Sequence, residues 1–372
     1  MRKYLILLAA ILATAGAAQS AEPLAAYLSG GLWRIIDDRG KEIFKPLDVE
    51  IVGGYSDGYF RVRKAFGKDT LWGFVNLQRQ MGAPPGAVMV YGFSDGMAAF
   101  SALNRKDSLY YYGFVNTSGE IAVEPHYLDI SNFSEGLAFV MNKSERGYID
   151  KKGKFVLPMP FGFGRKFSEG FASYADSAGR SGYIDKTGKS RIPFKFDEAN
   201  EFSEGIARVN YEGYYGYIDT TGKFVVEPHI YYADDYREGF AWAGMPDSAF
   251  KPLWGVINQK GQVACMTKFH DHGQFSGGIA PALTDSGWIF IDYYGEPVIN
   301  GLYATAGSFS GGLAWAEDAK TGKRGFLNPA GEFEITLPKN AIVVVDLRLN
   351  KIVWRAPAPA ENTRKPKPRS NN

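Results

Sequence analysis

The run Phe133-Ser134-Glu135-Gly136-Leu137-Ala138-Phe139-Val140, followed by Gly147-Tyr148-Ile149-Asp150-Lys151-Lys152-Gly153-Lys154-Phe155-Val156-Leu157-Pro158, decides how this chain is read. In the second stretch, short apolar segments flank Asp-Lys-Lys-Gly. An Asp closes a turn on its own backbone, and a Gly three residues later supplies a positive φ at low steric cost. That combination is a β-hairpin with a short loop. In the first stretch, a turn at Ser-Glu-Gly opens another apolar strand. Each such unit supplies three strands, and a fourth short one is expected around Phe194 to Ala199 and its equivalents.

Both halves recur along the chain. The aromatic-Ser-acid-Gly turn appears as Tyr55 to Gly58, Phe93 to Gly96, Phe133 to Gly136, Phe167 to Gly170 and Phe202 to Gly205, and with Arg237 in place of Ser as Tyr236 to Gly239. It returns without the acid as Phe275 to Gly278 and Phe309 to Gly312. The second position after the Gly is Ala98, Ala138, Ala172, Ala207, Ala241, Ala280 or Ala314, with Phe60 the exception. An alanine held inside a strand implies close packing against a neighbouring sheet. The hairpin recurs at Gly113 to Gly119, Gly182 to Gly188, Gly216 to Gly222, Gly255 to Gly261 and Gly325 to Gly331, with looser copies from Trp33, Trp72 and Trp288. A period of roughly 35–40 residues sustained over most of the chain signals one supersecondary unit in tandem.

The alternation of Phe-Ser-Glu-Gly-Leu-Ala with Trp/Tyr-Gly-Tyr-Ile-Asp-x-x-Gly-Lys resembles the WG-repeat family, the tryptophan–glycine β-repeats of bacterial proteins. The resemblance covers roughly residues 31–338 and is best over 133–228. Arg34 and Ile289 stand where Gly is usual, and Leu77 to Tyr91 interrupts the second hairpin. The resemblance implies an all-β array, often extracytoplasmic and implicated in interactions, and transfers no catalytic motif. Units of this length close into a β-propeller-like ring or stack into an open twisted β-solenoid. The array begins with half a unit, and a late run, Ala341 to Trp354, is rich in β-formers. A chain that starts mid-unit can be completed by its last strands, which removes sheet edges and favours the ring.

The rest of the 372 residues bounds the function. There are 44 Gly, 26 Phe and 22 Tyr, and 42 basic against 40 acidic residues give a net charge of +2. That balance argues against a nucleic-acid binder. One cysteine, Cys265, excludes an intrachain disulfide framework. Residues 1–20 read as a signal peptide: Arg2 and Lys3, an apolar stretch Tyr4 to Ala15, then the small-residue site Ala18-Gln19-Ser20. The stretch is too short to span a bilayer, which needs about 20 residues, and no later segment qualifies as transmembrane. The expected address is therefore export, to the periplasm or outside the cell. Residues 339–355 form a closing or capping β segment. Residues 356–372 form a basic, proline-rich tail without large apolar groups, expected to be disordered.

The acids recur in register. Glu135, Glu169, Glu204 and Glu238 share one turn position, and Asp150, Asp185, Asp219 and Asp292 another, so they read as turn formers. Catalysis by carboxylates needs one special pair instead. His270-Asp271-His272 is the one local metal-like cluster, and it lacks a third ligand at a recognisable spacing. No metal or cofactor is therefore expected, and Cys265 reads as a buried thiol. The third residue after each anchor glycine varies: Arg61, Ala99, Phe139, Ser173, Arg208, Trp242, Pro281 and Trp315. On half-exposed strands these side chains would form one surface, so Trp242, Trp315, Arg208 and Phe139 are the candidate binding residues, with core filling as the competing reading. The expected function is a non-enzymatic binding or scaffold protein for a protein, peptide or glycan partner. The alternative is a polysaccharide hydrolase or lyase on the same scaffold. Oligomeric state is not legible.

Overall fold

The structure, a computed structural model, describes residues 22–66, 69–159 and 162–357. The expected signal peptide, and the tail from residue 358, lie outside the described residues. Every regular element within them is a β-strand, and no helix is long and apolar enough to cross a membrane. Seven four-stranded sheets and one seven-stranded sheet follow one another, all antiparallel within themselves. The seven-stranded sheet is two units in one, because its long strand Pro297–Ala306 ends one and begins the next. The described residues thus form nine blades. Blade 1 holds both ends of the array. Blades 2 to 7 start at Glu50, Ala87, Asp129, Phe163, Glu198 and Tyr232, blade 8 at Asp271, and blade 9 runs to Thr336.

The ring is closed by the chain ends. In blade 1 the strand Pro23–Ser29 pairs on one side with Leu32–Asp37 and on the other with Val343–Asp346, in the register Ala25↔Asp346 to Leu28↔Val343. The strand Lys351–Arg355 adds a further inner strand to Val343–Asp346. Each blade packs its two faces on its neighbours, and nine apolar clusters mark the nine seams. The seam of blades 9 and 1 sets Leu313, Trp315 and Phe326 against Leu24, Tyr27 and Val344. The seam of blades 1 and 2 sets Ala26, Trp33 and Ile35 against Phe60, Val62 and Val75. This is the propeller-like ring rather than the open solenoid.

The repeat residues follow from this packing. The alanines after the anchor glycine are fully buried against the preceding blade. The glycine of each Gly-aromatic-Ile-Asp segment lies under a bulge where the outermost strand crosses the third. A β carbon at Gly182 or Gly216 would stand 2.6 or 2.7 Å from the carbonyl oxygen of Ile192 or Val226, so no larger residue fits without moving backbone. In blade 8, Ile289 takes that position and a positive-φ glycine, Gly301 (φ 141), sits in the facing strand instead. The hairpin aspartates close their turns as expected: Asp150 Oδ1 accepts from the amides of Lys152 and Lys154 at 2.9 and 3.0 Å. A fourth strand is present but lies later than expected: it is the innermost one, Glu198–Ser203 in blade 6, while Phe194 to Phe196 end the outer strand of blade 5.

Candidate functional site

The variable position does not form an exposed surface. Trp242 and Trp315 are each 1% exposed and Phe139 2%, and they fill the seams toward the following blade. The expectation of a free face fails for a physical reason. In a ring, both faces of a blade are covered, so strand alternation selects which neighbour a side chain meets, not whether it meets water. The direct contacts once expected of Trp242, Trp315 and Phe139 are unavailable to buried side chains. Trp315 Nε1 donates to Thr305 Oγ1 at 3.0 Å within its own blade, and Arg208 bridges to blade 7. Its Nε donates to Asp235 Oδ1 at 2.9 Å and its Nη1 to the carbonyl of Ala233 at 2.7 Å, while its guanidinium lies 5.2 Å from the Tyr215 ring.

The in-register acids are tied between blades. The amides of six of the eight anchor glycines donate to the turn acid of the preceding blade: Gly96 to Asp57 at 2.8 Å, Gly136 to Asp95 at 2.6 Å, Gly170 to Glu135 at 3.2 Å, Gly205 to Glu169 at 2.9 Å, Gly239 to Glu204 at 2.8 Å and Gly278 to Glu238 at 3.0 Å. All six acids hold positive φ, between 47° and 57°, a conformation that costs a non-glycine residue energy and is maintained by these bonds. Side chains of the next hairpin add to them: Lys151 meets Asp95 at 2.7 Å, Lys186 meets Glu135 at 2.9 Å, and Tyr293 donates to Glu238 at 2.9 Å. Interblade hydrogen bonds also explain the tyrosines. The hydroxyls of Tyr148, Tyr183 and Tyr217 donate to the inner-strand carbonyls of Arg165, Asn200 and Asp234 in the following blade at 2.6–2.8 Å. Burial raises all three phenols well above their ordinary range.

Groups that break register are fewer. Asp234 accepts from Gln274 Nε2 at 3.0 Å and faces His272 Nε2 at 3.8 Å. The His272 ring stacks on Trp242 at 4.2 Å and meets the edge of Trp254 at 4.5 Å. Burial pushes its imidazole down, and Asp234 pulls the other way. His270 instead reaches Asp285 at 2.7 Å, so the two histidines of the cluster do not converge. No group of three His, Cys, Asp or Glu among the described residues is placed to hold a metal ion. Cys265 is buried, its thiol raised by burial, and its sulfur packs over Gly295 of the next blade. It fills a position that is Val226 or Ile192 in other blades.

A cavity of about 760 Å³ lies at the seam of blades 1 and 2. Leu28, Val343, Val345 and Ile352 give it an apolar wall on the closing side, with Val49 and Ile51 opposite. Its rim is charged and paired. Arg63 grips Glu50 through both Nε and Nη2, at 2.5 and 2.9 Å, and Lys64 meets Asp48 at 2.6 Å. Trp72 and Arg355 also line it, with Arg63 5.6 Å above the Trp72 ring. The cleft exists because the repeat is broken here. Past Asp37 the chain makes only isolated bridges, Ile36↔Glu42 and Trp33↔Leu47, before it enters blade 2. No motif marks this site, since it joins residues from both ends of the array.

Comparison with known proteins fits this architecture. The family model described as WG containing repeat matches residues 112–144, 147–174, 182–215, 215–245 and 290–319. No curated protein matches the chain. Among solved structures, one titled as the eukaryotic initiation factor is similar over 86% of this chain and 96% of its own, at 10% identity and a TM-score of 0.58, which speaks to fold alone. BamB from Moraxella catarrhalis aligns over 74% of this chain and 94% of its own, at 11% identity and a TM-score of 0.37. The uncharacterized protein lmo1340 from Listeria monocytogenes aligns over 75% and 94%, at 11% identity and a TM-score of 0.39.

Proposed function

We propose that this chain, in which the WG containing repeat is matched in five places between residues 112 and 319, is an exported, non-enzymatic binding or scaffold ring that holds a peptide segment of a partner protein in the closure cleft. One observation carries the reading. A cavity of about 760 Å³ sits where the repeat is interrupted, with apolar walls and a rim of paired charges. Such a lining suits an extended segment that buries apolar side chains and exchanges charged contacts at its edges. The enzymatic alternative needs two carboxylates free to act on one bond, one of them protonated. The cleft does hold two out-of-register acids, Asp48 and Glu50, but each is hydrogen-bonded to a cation. Export is supported by the N-terminal Arg2-Lys3 and the apolar stretch that follows.

The test is affinity capture from envelope and culture fractions with the full chain and with Trp72→Ala/Arg355→Ala, the fold of each checked by circular dichroism. Recovery of the same partner by the wild type, and its loss from the cleft variant, is expected. Equal recovery by both, or turnover of a polysaccharide by the purified wild type, sinks the reading. N-terminal sequencing of protein from the exported fraction checks the address, with cleavage expected near residues 18–21. A chain retained whole in the cytoplasm contradicts it.

A further inference from the structure

Repeat register supplies an internal control on the inner wall of the ring. Arg61 in blade 2 and Arg208 in blade 6 hold the same position, third after the anchor glycine. Arg208 reaches forward and finds Asp235, the residue just before the turn aromatic Tyr236. In blade 3 the residue just before the turn aromatic, Phe93, is Gly92. Arg61 therefore has no carboxylate ahead of it. It folds back on its own inner strand instead, where Nη2 donates to the carbonyl of Val52 at 2.8 Å. Its guanidinium crosses Gly53, where a β carbon would lie 2.9 Å from Nε. That Nε is buried without an acceptor, and Arg61 forms no ion pair among the described residues. Burial lowers its pKa, with Tyr91 acting in the opposite sense. A half-buried cation with an orphan donor is costly unless something supplies the missing negative charge.

The neighbouring blade carries a second departure. Ala99 holds the position that Phe139, Trp242 and Trp315 fill elsewhere, and its small side chain leaves the seam to blade 4 unfilled. A cavity of about 280 Å³ remains, walled by Tyr91, Tyr112, Asp129, Ile130 and Asn132. The two tyrosine rings are 6.2 Å apart. Tyr91 lines the cavity and stands beside Gly92, the position ahead of Arg61 in repeat register, so the cation and the void adjoin one inner strand, Ala87–Ser94. Two aromatic rings, a carboxylate and a carboxamide around a space below the roughly 300–1,000 Å³ of drug-sized pockets suit a single hydroxyl-rich ring.

We propose that this wall binds an acidic sugar, a pyranose bearing a carboxylate. Arg61 takes the carboxylate in the role Asp235 plays for Arg208, Tyr91 and Tyr112 face the ring, and Asp129 and Asn132 accept and donate to its hydroxyls. The site is distinct from the peptide contact proposed for the closure cleft, and its failure leaves that reading standing.

Calorimetric titration of the full chain with glucuronate, with glucose as control, tests it. Glucuronate is expected to bind, and glucose at least about tenfold more weakly, since the charge-assisted contact is lost. Gly92→Asp installs the missing counter-ion from within. A β carbon there has only Ser56 Oγ nearby, at 3.6 Å, so the variant is expected to fold. Both Gly92→Asp and Arg61→Gln are expected to weaken glucuronate binding by about tenfold or more, while Arg208→Gln leaves it unchanged. The proposal is overturned if the wild type does not bind glucuronate, if glucose binds as tightly, or if Gly92→Asp and Arg61→Gln both bind like the wild type.

Discussion

Blades 4 to 7 and the closure region solve one problem in two ways. In the middle of the ring, adjacent blades are joined by a turn carboxylate that accepts from the next turn glycine, repeated without interruption from Asp57 to Glu238. From blade 8 on the acids stop: Gly277 and Gly311 occupy their position. At the junction of blade 9 with blade 1 an arginine of the closing hairpin stands in, Arg348 Nη1 donating to the carbonyl of Ser310 at 3.3 Å, while Asn350 Oδ1 accepts from the amide of Gly54 at the junction with blade 2. A covalently continuous pair of blades needs only a modest strap. The one junction made by distant parts of the chain is held by a strand pairing and two apolar seams. The regular region is therefore the frame, and the irregular one holds both the cleft and the ring's most vulnerable joint.

If that contrast is right, damage at the closure exceeds damage anywhere in the frame. A chain ending at residue 340 loses Val344, Val345 and Leu347, all buried. Each is worth about 1.5–3 kcal/mol, which together rivals the 5–15 kcal/mol that holds a typical domain. Such a chain is expected to show no cooperative thermal transition. A sharp transition near that of the full chain would show that the last hairpin is dispensable.

Asp346, in the closing strand, comes next. It is fully buried, Oδ1 accepts from the amides of Arg348 and Leu349, and Oδ2 has no partner. Burial pushes its carboxyl up to about 6, against the pull of those amides and of the Arg348 charge. A carboxyl with a raised folded pKa favours the protonated, folded state. Its contribution is most favourable below the unfolded value near 4 and is lost as pH rises through 6, a swing of about 3 kcal/mol. Urea unfolding at pH 4.5 and 7.5 is expected to show about 2 kcal/mol of that swing in the wild type relative to Asp346→Asn. Parallel pH dependence in the two proteins would remove the assignment.

Within the frame the effects shrink. Gly216→Ala forces a β carbon against the Val226 carbonyl and is expected to cost about 1–3 kcal/mol in denaturant unfolding. A neutral result would mean that the outer strand yields there. Glu238→Ala removes a carboxylate that accepts from the amides of Gly277 and Gly278 at 2.8 and 3.0 Å and is expected to cost about 1 kcal/mol by the same measurement. A loss as large as that of the truncation would make the straps, not the closing hairpin, the principal joint.

The contrast also marks how far the sequence could be read. The frame was legible because each of its demands recurs. A glycine beneath a carbonyl, an alanine against the previous blade and an Asp closing its own turn all leave the same letter at the same spacing. The closing run Ala341 to Trp354 was recognisable as β-forming from its valines and isoleucines. Its partner strand was not, because pairing across some 300 residues leaves no local trace. Trp242 and Trp315 were open to two readings for a related reason. Alternation along a strand separates two faces but does not say that both are covered. The cleft was invisible because its walls come from opposite ends of the chain. The isolation of Arg61 becomes apparent only when it is set beside Arg208 and the glycine at 92 is matched with the aspartate at 235.

Small-angle scattering from the purified chain tests the central claim most directly. A closed ring of this length is expected to give a radius of gyration of about 21 Å. Nine such sheets stacked in an open array at about 10 Å spacing would extend to about 90 Å or more, and a profile of that elongated form would contradict the closure of the ring by its two ends.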